Sequence, residues 1–150
     1  MLDDILIQIS SHYSIICSED MKKWIDENKI LSCILDPKNH SAKLIRSSKY
    51  ILRFYIKQDL LDDHEIETLW MATKQSSMVK QEMLNVIMRL SDKMTDKHKT
   101  KFLNFLQQEK ISKANNKLIE LVYALSYSES KDAENTLAAN KLFYQFAIGK

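Results

Sequence analysis

The sequence has one glycine, Gly149, and one proline, Pro37, in 150 residues. Sheets and hairpins draw on both residue types for tight turns and bulges. Their scarcity therefore argues for helices joined by short polar connections. The two cysteines, Cys17 and Cys33, are not spaced as a metal knuckle or a redox pair. Each sits among apolar neighbours (Ile15, Ile16; Leu31, Ile34) and reads as a buried or partly buried reduced thiol. That suits a cytoplasmic protein, and a nuclear one equally. The opening Met-Leu-Asp-Asp lacks a basic segment leading into an apolar run, which argues against a signal peptide. No stretch has the uncharged apolar length of a bilayer span, so no membrane role is expected. The net charge of +2 is too small to imply nucleic acid.

What is present fits a soluble all-α chain, 45% hydrophobic and 28% charged. A compact domain of this size buries roughly 68–70% of its unfolded surface and needs no staples. Residues 1–150 are expected to form a single helical-repeat domain. Its organising stretch is Ser41 to Trp70. From Leu44 to Lys57, Leu44, Ser48, Ile51 and Tyr55 recur at helical spacing. Ile45, Leu52 and Ile56 widen that face on one side, and Tyr50 and Phe54 on the other. Only Arg46, Lys49, Arg53 and Lys57 are left for water, so the helix should lie buried between neighbours. Asp62 and Glu65 then have the spacing of a capping box, flanked by Leu61 and Ile66 as a hydrophobic staple. The inward face of the helix they start is Ile66, Leu69, Trp70 and Thr73.

The other helices follow from the same signals. Leu2, Ile5, Leu6, Ile9, Tyr13 and Ile16 make a first amphipathic helix. Ser18 can cap a second, carrying Met21, Trp24 and Ile25, with a break near Asn28 before Ile30, Leu31, Ile34 and Leu35. Asp36-Pro37 stops it. Ser76 or Ser77 starts a helix with Val79, Met83, Val86, Ile87 and Leu90 inward, while Met78 and Met88 fall off that face toward a neighbouring helix. Thr95 can cap the next, with Phe102, Leu103 and Leu106 inward. Leu118, Leu121, Val122 and Leu125 mark another. Ser128 or Ser130 begins the last, with Ala133, Leu137, Tyr144, Ala147 and Ile148. Both tryptophans, Trp24 and Trp70, fall on apolar faces and are expected in the core.

Helix pairs open near Ser41, Ser77 and Ser112, a spacing of about 35 residues that lies in the range of helical repeats. The residues themselves repeat poorly between pairs. This is the pattern of an armadillo- or HEAT-like α-solenoid, in which units contact mainly their neighbours. A compact all-α bundle is the alternative. A resemblance favours the solenoid. The run from Met21 to His40, with Trp24-Ile25, Asn28 and Asn39-His40, is followed by Arg46-Ser47 and by Leu61-Asp-Asp through Leu69-Trp70. Together with Lys80 to Leu90 this order resembles the armadillo-like helical region of very large ubiquitin-specific proteases of the fat-facets type. The resemblance spans about residues 20–110. It implies stacked helices and a non-catalytic flanking scaffold that binds protein partners. It carries over no catalytic residue, because that family's nucleophile lies in a glycine-containing Cys box that neither Cys17 nor Cys33 matches.

The residues themselves suggest no chemistry. His12, His40, His64 and His98 are far apart and lack ligand spacing, so no metal or other cofactor is expected. Asp62, Asp63 and Glu65 are explained by helix capping. No glycine loop cradles a phosphate, and no small-molecule substrate is implied. The candidates that remain are two basic stripes: Arg46, Lys49, Arg53 and Lys57, and Lys93, Lys97 and Lys101 with Lys99 nearby. Solvated helix faces commonly look like this, but either stripe suits an acidic protein partner. Residues 76–150 hold twelve Lys/Arg against eight Asp/Glu. A compact nucleic-acid-binding domain using this basic half is therefore the competing reading, and an enzyme would need titratable groups now distant in sequence to converge.

Overall fold

The computed structural model describes residues 18–109, 116–126 and 133–148. Those residues form eight α-helices and no strand: α1 (Ser18–Glu27), α2 (Ile30–Leu35), α3 (Ala42–Lys57), α4 (Asp63–Ala72), α5 (Ser77–Leu90), α6 (Asp96–Gln107), α7 (Asn116–Ser126) and α8 (Ala133–Ile148). The expected helix over residues 2–16, Cys17 and the expected starts at Ser112, Ser128 and Ser130 lie outside the described residues.

Local chemistry sets the helix starts. The Ser41 hydroxyl accepts from the Leu44 amide at 3.2 Å, Ser76 caps α5 through the Val79 amide, and Thr95 caps α6 through the His98 amide. Asp62 and Glu65 form the full capping box at 2.7 and 2.8 Å, with Leu61 and Ile66 buried beside it. The glycine shortage shows at two helix ends. Lys29 (φ 52°) and Asp59 (φ 53°) both take the left-handed conformation that glycine adopts most easily. At Asp59 the chain closes a Schellman motif, the Leu60 amide donating to the Tyr55 carbonyl and the Asp59 amide to Ile56.

The helices stack in two layers, α3–α5–α7 and α4–α6–α8, with α2 against the start of both. Residues one repeat apart meet across the stack. His40 Nδ1 lies 3.2 Å from Gln75 Oε1, a separation of 35 residues along the chain, and Arg46 reaches Glu82, 36 residues on. The Trp70 ring stacks on Phe105 at 5.8 Å, and Lys74 pairs with Glu109. The repeat that residue identities conceal is therefore visible in the contacts. The chain is an α-solenoid of armadillo type, as its helix spacing suggests.

One continuous core runs from Met21 in α1 to Phe146 in α8. The α3 helix buries Leu44, Ile45, Ser48, Ile51, Leu52, Phe54, Tyr55 and Ile56, and lies between α2 and α5. Tyr55 donates to Asp26 Oδ1 at 2.6 Å, tying α3 to α1. Burial, then this bond, pushes the Tyr55 hydroxyl above its ordinary range.

Three expectations need correction. Trp24 is 37% exposed, because Met21 and Ile25 take the centre of the inward face of α1 and leave the indole at its margin. Met78 points to solvent, while Met88 does pack against the core. In α8 the inward residues are Ala139, Leu142 and Phe146, whereas Leu137, Tyr144 and Ile148 are more than half exposed. That helix is apolar on two opposite faces, so periodicity alone could not choose between them.

Candidate partner-binding surface

The first basic stripe survives folding as a surface feature. Arg46, Arg53 and Lys57 are exposed along α3, and Lys49 is half-buried with its Nζ 4.8 Å from the centre of the Tyr50 ring. A helix buried over most of its circumference has no other place for these side chains. Stacking then sets α5 alongside, so that Glu82, Asn85 and Arg89, at spacings of three and four, turn toward the stripe.

The result is a furrow between the two helices. One part, about 250 Å³, is lined by Arg46, Lys49, Glu82, Asn85 and Arg89. It continues past Lys49 into a second part of about 440 Å³, beside Tyr50, Arg53, Arg89 and Leu90. Arg46 grips Glu82 with both donors, Nη2 at 2.8 Å and Nε at 3.4 Å. This bond holds the Glu82 carboxyl below its usual range. Among the described residues neither Arg53 nor Arg89 forms a close ion pair, although the Arg89 charge also acts on Glu82. Four cations thus share the furrow with one anion. Lys57, in the last turn of α3, lies beyond these lining residues, where a cation suits the helix dipole.

The second stripe fares differently. Lys93 sits in the 3₁₀ turn Ser91–Lys93 ahead of α6 and pairs with Asp92 at 3.0 Å. Lys97 and Lys101 both reach Asp63 of α4, at 3.6 and 3.0 Å. These two tie neighbouring repeats together, and Lys101 is the main cause of Asp63's lowered pKa. Lys99 is buried. Farther on, Lys117 donates to Asn85 at 2.5 Å and joins α7 to α5.

Arg89, Glu82 and Asn85 are the lining residues that single-helix patterns do not reveal. The available signal is the repeat spacing itself, which sets Glu82 against Arg46 and Arg89 against Arg53.

The histidines do not converge. His40 bridges the Ile34 carbonyl, at 2.9 Å, to Gln75, and His64 is exposed in the first turn of α4. His98 is buried in the first turn of α6 with neither ring nitrogen in a hydrogen bond, its Nε2 3.4 Å from Asp59. Burial lowers its pKa, and the Asp59 carboxylate opposes this. Among the described residues no three His, Cys, Asp or Glu side chains gather as a metal site, and no helix is long and apolar enough to cross a membrane. Cys33 is a free, half-buried thiol that accepts a bond from Asn39.

Comparison with known proteins agrees with the stacked fold. Residues 4–147 match the family described as the UBP24/USP9X/USP9Y ARM repeat. Ubiquitin carboxyl-terminal hydrolase 9Y of Homo sapiens is 34% identical over 55 residues, which is 37% of this chain and 2% of that protein. Ubiquitin carboxyl-terminal hydrolase 9X of Mus musculus is likewise 34% identical over 55 residues, again 2% of its length. The chain thus corresponds to a small part of these relatives, and that part is the repeat region rather than a catalytic domain. Stacked helices, contacts one repeat apart and this match together make the chain a member of the UBP24/USP9X/USP9Y ARM-repeat family.

Proposed function

We propose that this ARM-repeat chain is a non-catalytic scaffold that holds protein partners, as a flanking part of a deubiquitinase would. One observation carries the reading. The α3–α5 furrow sets four cations, Arg46, Lys49, Arg53 and Arg89, against the single carboxylate of Glu82, whereas Lys97 and Lys101 of α6 are already paired. A surface rich in unmatched charge attracts an oppositely charged partner and speeds its approach. The competing nucleic-acid reading relies on the basic C-terminal half, where Lys97 and Lys101 of α6 and Lys117 of α7 are engaged in bonds between repeats and Lys99 is buried.

Fluorescent duplex DNA and a fluorescent acidic polypeptide, titrated at about 50 and about 200 mM salt, test the proposal. The acidic polypeptide is expected to bind more tightly at both concentrations. Tighter binding of DNA, with affinity falling steeply as salt rises, would replace the scaffold with the nucleic-acid reading. A ubiquitin–fluorophore substrate should stay intact, and its cleavage by the purified chain would overturn the non-catalytic assignment.

A further inference from the structure

The Arg46–Glu82 pair shows how the furrow receives a carboxylate. Glu82 comes from the neighbouring repeat and lays its two oxygens against Arg46 Nη2 and Nε. The Arg46 side chain is still 62% exposed, so this contact lies at the furrow's open side. Beyond it the same groove continues past Lys49 and Arg89, which line both parts, to Tyr50 and Arg53, and no carboxylate lines this second part. The chain has filled one end of a carboxylate-binding track and left the other open.

The spacing of the open end selects a ligand. Lys49 and Arg53 are four residues apart on α3, which is roughly 6 Å along the helix axis. Side chains on one side of an extended peptide repeat at roughly 6.6–6.8 Å, twice the rise per residue. Alternate carboxylates of an extended acidic segment therefore meet Lys49 and Arg53 in turn. Arg89 approaches from the opposite wall, and Tyr50 lines the groove with its ring beneath the Lys49 ammonium. Arginine suits this task because its planar fork receives a carboxylate through two parallel bonds.

Resting on the scaffold reading, we infer that the α3–α5 furrow is a docking track for an extended Asp/Glu-rich peptide segment of a partner protein, with Lys49, Arg53 and Arg89 as its contacts and Glu82 as a built-in competitor at one end. The competitor makes the proposal specific. Ordinary surface charge predicts that removing any cation weakens binding and that removing any carboxylate tightens it to a similar extent. This arrangement predicts that Glu82→Gln tightens it more than Glu67→Gln, which neutralises an exposed carboxylate outside the furrow, because only Glu82 occupies Arg46.

The experiment uses the full chain and a fluorescein-labelled polyglutamate peptide about ten residues long, enough to span the groove. Wild type is expected to bind it, Arg53→Glu with Arg89→Glu to lose at least tenfold in affinity, and Glu82→Gln to gain about threefold, more than Glu67→Gln. Thermal melts accompany each variant. If the double reversal melts early, Arg53→Gln with Arg89→Gln replaces it, with a loss of several-fold expected. Peptide binding that is unchanged in the double variant, or tightened no more by Glu82→Gln than by Glu67→Gln, places the site elsewhere and overturns the track while leaving the scaffold intact. A wild-type chain that ignores the peptide but binds duplex DNA overturns both. A phosphoserine peptide of equal charge that binds more than tenfold tighter than polyglutamate would also overturn it, since the track would then serve phosphate groups.

Discussion

Replacing Lys29 with glycine should stabilise the protein. Lys29 ends α1 at φ 52°, ψ 34°, and its side chain is exposed, with no hydrogen bond or ion pair among the described residues. For a residue with a Cβ this left-handed conformation costs roughly 1–2 kcal/mol. Glycine removes that cost but returns up to about 1 kcal/mol by adding freedom to the unfolded chain. The net gain is about 0.5–1 kcal/mol, which for a protein of this size raises Tm by roughly 1–4 °C. Urea unfolding of wild type, Lys29→Gly and Lys29→Ala, followed by circular dichroism, measures it. Alanine keeps the Cβ and should stay within about 0.5 kcal/mol of wild type. A glycine variant no more stable than wild type, or an alanine variant stabilised equally, would refute the strain argument.

Other perturbations test the packing and the electrostatics. Leu142→Ala should cost about 2–5 kcal/mol, whereas Leu137→Gln on the opposite face of α8 should stay within about 0.5 kcal/mol, both read from urea midpoints. Trp70→Ala, which removes the ring stacked between repeats, should cost about 3–5 kcal/mol and shows as an early thermal melt. Asp62→Ala, which dismantles the capping box, should cost about 1 kcal/mol by the same assay. His98 has a lowered pKa in the folded protein, so below the ordinary value of 6.5 the unfolded chain binds the proton more readily. Its contribution to stability is therefore full above about pH 6.5 and declines as pH falls toward the folded value. The urea midpoint should drop between pH 7.5 and 5.5, and His98→Leu should flatten that drop.

The sequence carries most of the fold and less of the surface. Capping at Asp62–Glu65 and at Thr95, the buried sector of α3 and the inward faces of α4 to α7 are all readable, because each depends on residues within one helix. Trp24 and α8 were harder. A tryptophan on an apolar face can sit at its margin, and a helix apolar on both sides leaves the choice to its neighbours. The furrow is legible only by halves. Arg46, Lys49 and Arg53 stand out on α3, but Glu82 and Arg89 join them only through the stacking of repeats. Sequence likewise cannot separate a free cation from a paired one. Arg53 and Lys101 look alike in a stripe, and only the approach of Asp63 distinguishes them. His98 gave no signal at all, since its burial depends on the turn at Asp59 one repeat earlier.

The two-layer stack also bears on how the chain reaches this shape. Among the described residues the substantial contacts join helices no more than two places apart in order. Such a topology has low contact order, and chains of that kind close small loops and fold quickly. None of the described segments has to wait for a distant strand. Each helix can find its seat soon after the one before it, so the row is suited to assembling progressively as the chain emerges from the ribosome.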